Sequence, residues 1–244
     1  MVDEAYNAVG GFGKLQKISF ISNTLIQSGA SFFLYCFVFL EKQPVYQCLD
    51  ETTQSWYQCH TDYFCDDSKK VTWRVDFTQR ESIHNLITQL NLYCSPEYII
   101  GLLGASFLLG IVIGCSTLTR LGDKHGRKPI YMIGIVLQIC FTLGVLFVQN
   151  LLLVFGLIFV FGLSVSARYY VGYTYNIEMQ PKSHYVLVST TMFVAESVIY
   201  LCICLYFWFI GKNWKILQIP NLLLSVFGLV FLCYMPETPR FLIS

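Results

Sequence analysis

The sequence predicts an all-α membrane protein of six transmembrane helices with one cysteine-bearing extracellular loop, and three observations carry that prediction. Of 244 residues 55% are hydrophobic and only 13% charged, with a mean hydropathy of +0.55, too apolar for a soluble domain of this size. Six stretches reach the roughly 20 apolar residues needed to cross a hydrocarbon core about 30 Å thick. Between two of them lies the short turn L-T-R-L-G-D-K-H-G-R-K-P, whose bases Arg120, Lys124, Arg127 and Lys128 place it in the cytoplasm by the positive-inside rule.

The six spans are expected at Ile18 to Leu40, Tyr98 to Leu118, Ile130 to Gln149, Leu151 to Tyr175, Val186 to Ile210 and Ile216 to Tyr234. They divide the chain into a cytoplasmic N-terminus (1–17), a first helix (18–40), an extracellular loop (41–97), helices two to six (98–235) and a cytoplasmic tail (236–244). An even number of spans returns both termini to one side, and Lys14, Lys17, Lys182 and Arg240 then join the turn in the cytoplasm. The opening M-V-D-E-A-Y-N is acidic and no small-residue cleavage site follows, so no signal peptide is expected. Nothing suggests a nucleic-acid partner: the net charge is +1 and no basic tract is interleaved with aromatics. The partner expected everywhere is the lipid bilayer.

Residues 41–97 form the one long connection, with nine acids, among them Asp67, against five bases, among them Lys69 and Lys70. Four of the ten cysteines lie in it, Cys48, Cys59, Cys65 and Cys94. The other six sit in apolar helices, where free Cys behaves as a small hydrophobe. An even number in a polar outer segment predicts two disulfides, in any of three pairings. Neither a C-x-x-C nor a His pair with ligand spacing occurs, so no metal site is expected.

The first helix is polar for a membrane span. At about 100° per residue, Asn23, Thr24, Gln27, Ser28, Ser31 and Tyr35 fall on one stripe, opposite Ile21, Leu25, Ile26, Phe32, Phe33 and Cys36. Such a stripe lines a watery cavity, or bonds to neighbouring helices at around 0.6 kcal/mol a contact. Either way it faces protein. The second helix carries Gly101, Gly104, Ala105, Gly110 and Gly114, small residues that allow close helix packing.

Arg168 lies about 26 Å from the outer end of the fourth helix, a depth from which it is expected to snorkel to the cytoplasmic interface. Tyr169, Tyr170, Tyr173 and Tyr175 beside it read as an interfacial belt, or as a wall attractive to cations. Glu196 comes ten residues, about 15 Å, into the fifth helix, near the bilayer midplane. An acid there costs roughly 2.5 to 3.5 kcal/mol on insertion scales, so it should face the protein interior with a donor, a proton or a ligand. Ser189, Ser197 and Tyr200 are expected on its face. At the chain's end Pro236 and Pro239 hold Glu237 and Arg240 near the basic turn, where an exposed ion pair is worth only about 0 to 1 kcal/mol.

These residues together resemble the N-terminal half of a major facilitator transporter, in the organic cation and zwitterion branch with its sugar-porter relatives. G-G-F-G-K-L-Q-K resembles that branch's G-x-F-G-x-F-Q, G-D-K-H-G-R-K-P its S-D-R-F-G-R-K, G-Y-T-Y-N-I-E its G-Y-T-x-x-x-E, and P-E-T-P-R-F-L its P-E-S-P-R-W-L. The four matches run in family order over the whole chain, with the large cysteine-bearing loop in its family place. The resemblance implies half of a major facilitator fold. It also implies that Asp123, Arg127, Glu178, Glu237 and Arg240 belong to a charged network that clasps the cytoplasmic side when the transporter opens outward. Departures stand beside it: Thr119 where the loop motif begins with Gly, Lys124 for Arg, Ile158 near a usual Arg, and no N-x-S/T sequon.

The function so implied is transport of small organic cations or zwitterions at the plasma membrane by alternating access. Asn23, Gln27, Ser31, Tyr35, Glu196 and Tyr200 are the cavity candidates, and Glu196 is the group expected to attract a cation or carry a coupled proton. A second six-helix half is required, from another chain, a second copy, or a continuation beyond Ser244. The alternative is a transport-inactive subunit serving as a membrane anchor in a larger complex, favoured by the altered motif positions. No nucleophile–base pair or phosphate loop is present, so neither an enzyme nor a cofactor is expected.

Overall fold

The structure, a computed structural model, describes residues 11–66 and 71–243. The residues M-V-D-E-A-Y-N, the first Gly of G-G-F-G, and Asp67, Lys69 and Lys70 lie outside the described residues. Six helices are long and apolar enough to cross a membrane: α1 (Lys14–Leu40), α2 (Glu97–His125), α3 (Arg127–Phe147), α4 (Leu151–Glu178), α5 (Lys182–Ile210) and α6 (Trp214–Tyr234). The protein is a multi-pass integral membrane protein. Several helices overrun the apolar stretches read from the sequence. α2 continues seven residues past Leu118, because intrahelical bonding persists into polar surroundings where hydropathy no longer marks it.

The ends have local causes. Asn150 opens α4 by accepting from the N–H groups of Leu152 and Leu153 at 2.9 and 3.4 Å, and Asn213 opens α6 by accepting from Lys215 N at 3.1 Å. Between α2 and α3 the chain reverses at Gly126, with φ of 99°. A Cβ there would lie 2.6 Å from the Glu237 carboxylate, so both conformation and space require glycine. Within α4 the turn Ser166–Val171 is π-helical, a widening often found at functional positions.

α1 is the most buried span and α5 the least. Phe33 of α1 meets Phe141 of α3 and Phe161 of α4 edge-on, at 4.5 and 4.7 Å between centroids, and Trp214 of α6 at 6.1 Å. Gly110 of α2 and Gly162 of α4 face each other so closely that a Cβ on either would strike the other backbone. Thus Gly110 packs as its small size implies, whereas no atom approaches Gly101.

The loop between α1 and α2 folds as a small domain, as its length and polarity suggest, but with strands that the all-α expectation did not contain. Strands β1 (Tyr46–Asp50), β2 (Ser55–Cys59) and β3 (Trp73–Val75) form an antiparallel sheet in the order β2-β1-β3. Tyr46, Phe64, Trp73 and Tyr93 make its core. The β1–β2 turn is held by Asp50, which accepts from Thr52 N, Thr52 Oγ1 and Thr53 Oγ1 at 2.9, 2.6 and 2.9 Å. Those bonds pull its carboxyl down to a pKa of about 2. Of the three possible pairings, the fold selects Cys48–Cys59 and Cys65–Cys94. The first bridges partner strands and the second ties residue 65 to the approach of α2.

One segment of this domain caps the bundle. Asn85 Nδ2 donates to the carbonyls of Phe39 and Lys42 at the end of α1, at 3.3 and 2.6 Å. Gln89 Nε2 donates to Val145 and Val148 at the end of α3, both at 3.0 Å. Lys212, between α5 and α6, donates through Nζ to Phe77 and Gln79 carbonyls at 2.5 Å, while its own carbonyl accepts from His84 N at 2.8 Å. Helix C-termini leave carbonyls unpaired, and this domain supplies donors for them.

Peptide mass mapping without reduction should return 48–59 and 65–94 as the linked pairs, and a 48–65 or 59–94 link would refute the pairing. Loop-closure entropy over separations of 11 and 29 residues gives about 2.8 and about 3.6 kcal/mol. Removing Cys65–Cys94 should therefore lower the thermal midpoint of the loop domain more than removing Cys48–Cys59.

Candidate functional site

A cavity of about 490 Å³ lies among α1, α2, α4 and α5, lined by Gln27, Leu34, Phe107, Ile111, Val165, Tyr169, Tyr170, Tyr173, Met192, Phe193 and Glu196. Its wall is aromatic and apolar with one carboxylate. Glu196 is buried and accepts from Gln27 Nε2 at 3.5 Å, a long bond linking α1 to α5. Gln27 Oε1 is buried with no hydrogen-bond partner. An acid and an amide with spare capacity therefore meet inside the membrane-spanning bundle.

The other cavity candidates surround this pair without all lining it. Ser31 Oγ is 2.7 Å from Tyr169 Oη, joining α1 to the cavity wall on α4. Tyr35 packs its ring against Tyr200 at 5.3 Å, and Tyr200 is half exposed on the outside of α5. Asn23 is turned along its own helix, donating to the carbonyl and hydroxyl of Ser19 at 2.9 and 3.1 Å. Of the residues expected beside Glu196, Ser189 meets Tyr173 Oη at 2.8 Å, whereas Ser197 is exposed and bonds back to Phe193.

Arg168 departs from expectation. It does not snorkel; it is fully buried, donating to the carbonyl of Ile26 at 2.5 Å and to Ser225 Oγ at 3.5 Å. Depth along a helix cannot reveal that α1 and α6 present acceptors there. Its Cγ stands close to Gly134 of α3, so the side chain turns away from the cavity. The tyrosines form no single belt either: Tyr175 is buried and donates to Pro236 O at 2.8 Å, Tyr169 and Tyr173 line the cavity, and Tyr170, which also lines it, is half exposed.

The sequence did not expose a polar network in the bundle core. Ser164 donates to Gln138 at 2.9 Å, Gln138 approaches Asn221 at 3.4 Å, and Asn221 donates to Gln218 at 2.9 Å. These residues come from α3, α4 and α6, and all are buried. Isolated polar residues in apolar runs were the available signal.

At the opposite end from the loop domain the charged candidates meet. Arg127 reaches Asp123 at 3.2 Å and the buried Glu178 at 2.5 Å, and Arg240 lies 3.6 Å from Glu178. Glu237 was expected to act with Arg240. Its carboxylate instead accepts from the backbone N–H groups of Arg127, Lys128 and Thr238 at 2.9 to 3.2 Å, capping the N-terminus of α3. The cluster fastens the α2–α3 turn to the ends of α4 and α6.

Six apolar spans in this order, a cavity walled by α1, α2, α4 and α5, and a charged cluster binding the α2–α3 turn define a transporter-type half-bundle. The sugar (and other) transporter family matches residues 21–244, and the chain belongs to that family, within the major facilitator superfamily. It is 26% identical to an organic cation transporter-like protein of Drosophila melanogaster, over 99% of this chain and 47% of the relative. It is 24% identical to human organic cation/carnitine transporter 2 over 69% of this chain and 30% of that protein, and 28% identical to solute carrier family 22 member 16 of Xenopus laevis over 75% and 32%. The chain spans less than half the length of these relatives.

Burial separates the carboxylates of the charged cluster. Glu178→Ala leaves Arg127 without its buried partner and should cost about 3 to 5 kcal/mol, whereas Asp123, with its side chain 71% exposed, should cost about 0 to 1 kcal/mol on change to Asn. Thermal unfolding in detergent checks the order, and equal losses would show that Glu178 is not the hub.

Proposed function

We propose that this chain is the first six-helix half of a facilitator that carries small organic cations or zwitterions across the plasma membrane. The observation that carries the proposal is Glu196, buried at Gln27 in a cavity whose other walls are Tyr169, Tyr170, Tyr173, Phe107 and Phe193. A carboxylate inside a bilayer is costly unless it meets a partner, and an organic cation supplies one while its apolar substituents and charge meet aromatic faces. The cavity borders α2 and α5, and a second bundle packed on these two helices would close it, as in transporters whose substrate sits between halves. The names of the relatives, an organic cation transporter-like protein and an organic cation/carnitine transporter, support the cation class.

The sidedness follows the charges: the loop domain outside and the α2–α3 turn in the cytoplasm. The charged cluster then holds the cytoplasmic side in one of two conformations. Ion pairs of modest strength suit that role, since states that interconvert must lie within a few kilocalories.

Uptake of a labelled tetraalkylammonium ion by vesicles holding the chain with its second half tests the proposal. Glu196→Gln should reduce cation uptake about tenfold or more, roughly 1.4 kcal/mol, without loss of protein from the membrane. Unchanged uptake would remove Glu196 from the site. No uptake by the unaltered protein would favour the membrane-anchor alternative.

A further inference from the structure

Glu41, immediately beyond α1, is a second carboxyl on the cavity's own face. Gln27, Leu34 and Glu41 recur every seven residues, so they share one stripe of α1, and Val38 between them is 73% exposed. On α2, Gly104 stands seven residues before Ile111 and three before Phe107, both of which line the cavity. The Glu41 carboxylate lies over Gly104: a Cβ there would be 3.6 and 3.8 Å from Oε1 and Oε2. Phe37 and Phe107, 5.6 Å apart, bridge the same two helices one turn deeper. The groove holding Glu196 at one level thus carries Glu41 about 21 Å farther along α1, at the end capped by the loop domain.

Stability does not explain an acid here. Glu41 is half-buried at the C-terminus of a helix, where the macrodipole disfavours negative charge. Its Oε1 is buried and accepts no hydrogen bond. Burial lifts its pKa to about 7, and the backbone of Gly104 beside it opposes that rise. Among the described residues no ion pair to a base compensates it, and Lys42 turns to Glu81 at 3.8 Å. The remaining titratable groups on the neighbouring segments are Glu97 and Tyr98, exposed at the start of α2, and His84, stacked on Phe77 at 4.1 Å. A divalent metal asks for several oxygen ligands, and among the described residues no group of three metal-ligating side chains exists.

We propose that Glu41 is an outer-mouth subsite for an organic monocation, the first carboxylate such an ion meets on the way to Glu196. The proposal rests on the reading of the Glu196 cavity as a cation site. Val38 offers apolar surface to alkyl or aryl substituents beside a single negative charge, over the buried pair Phe37 and Phe107. Gly104 leaves the space above the carboxylate free of a side chain.

The sign of the pH dependence follows. An acid with its folded pKa raised holds its proton more tightly in the fold, so its effect on stability is least unfavourable below the unfolded value near 4.3 and worsens as pH rises to about 7. The subsite, which needs the charged form, is absent at pH 5.5 and present at pH 8.

The test is equilibrium binding of tetraethylammonium to the 244-residue chain in lipid nanodiscs at both pH values. Two saturable components are expected at pH 8, the weaker of which disappears at pH 5.5. Glu41→Gln should remove the weaker component at pH 8 and leave the tighter one there unchanged. Glu41→Asp, which keeps the charge but shortens its reach, should weaken that component about tenfold, roughly 1.4 kcal/mol. Glu196→Gln should remove only the tighter component. A weaker component that survives Glu41→Gln, or none at pH 8, overturns the subsite. Loss of the tighter component alone, in the unaltered chain, overturns the cavity reading and leaves the subsite standing. No binding at all overturns both.

Discussion

Everything polar in this bundle is constrained by the absence of water from a bilayer core, where an unpaired donor or acceptor costs several kilocalories. Arg168 shows how far the constraint reaches. A guanidinium that cannot reach water is held between the Ile26 carbonyl and the Ser225 hydroxyl, and so joins α4 to α1 and α6. Ser31 with Tyr169 and Gln138 with Ser164 are smaller instances of the same pairing between helices. The pairing is not complete: Asn23 Oδ1, Arg168 Nε, Asn176 Oδ1 and Gln218 Nε2 are buried without a hydrogen-bond partner, as is Gln27 Oε1, and of these residues only Gln27 borders the cavity beside Glu196.

The two ends of the bundle are built on different physics. At the loop end, amide donors of the loop domain meet carbonyls at the ends of α1 and α3, the ammonium of the α5–α6 turn meets loop-domain carbonyls, and a disulfide ties the domain to the approach of α2. Bonds of this kind fix one geometry. At the turn end, Asp123, Arg127, Glu178 and Arg240 hold the helices by charge, with one buried member and the rest at least partly wet. A junction of that kind suits a change between states, because solvent takes up the charges as the pairs part. Glu237 and Gly126 are the fixed points within it, since the carboxylate caps α3 only where a residue without a side chain lets it approach.

The spans were legible because hydropathy sums over some twenty residues, and an error at any one position averages out. The Glu196–Gln27 approach was legible in part, since energetics forbids a lipid-facing acid and periodicity gave α1 a polar stripe. Pairing the cysteines was not, because the strands that bring Cys48 diagonally across from Cys59 are short and their register depends on Tyr46, Phe64 and Trp73 packing together. Arg168 was misplaced because a snorkelling argument considers one helix alone, while its acceptors come from two others. Glu237 was read as a charge partner for Arg240 since both lie in one short segment; its acceptor role needs the N–H groups of a helix more than a hundred residues earlier in the chain. Contacts between elements, rather than patterns within them, were what the sequence withheld.

The central claim is that Glu196 faces a wet, cation-accepting cavity and not lipid. Reaction of Glu196→Cys with a membrane-impermeant, positively charged thiol reagent, compared with a lipid-soluble maleimide, tests it most directly, in a chain whose native free cysteines Cys36, Cys115, Cys140, Cys202, Cys204 and Cys233 are replaced. The account predicts labelling by the charged reagent. Labelling by the lipid-soluble reagent alone would contradict it.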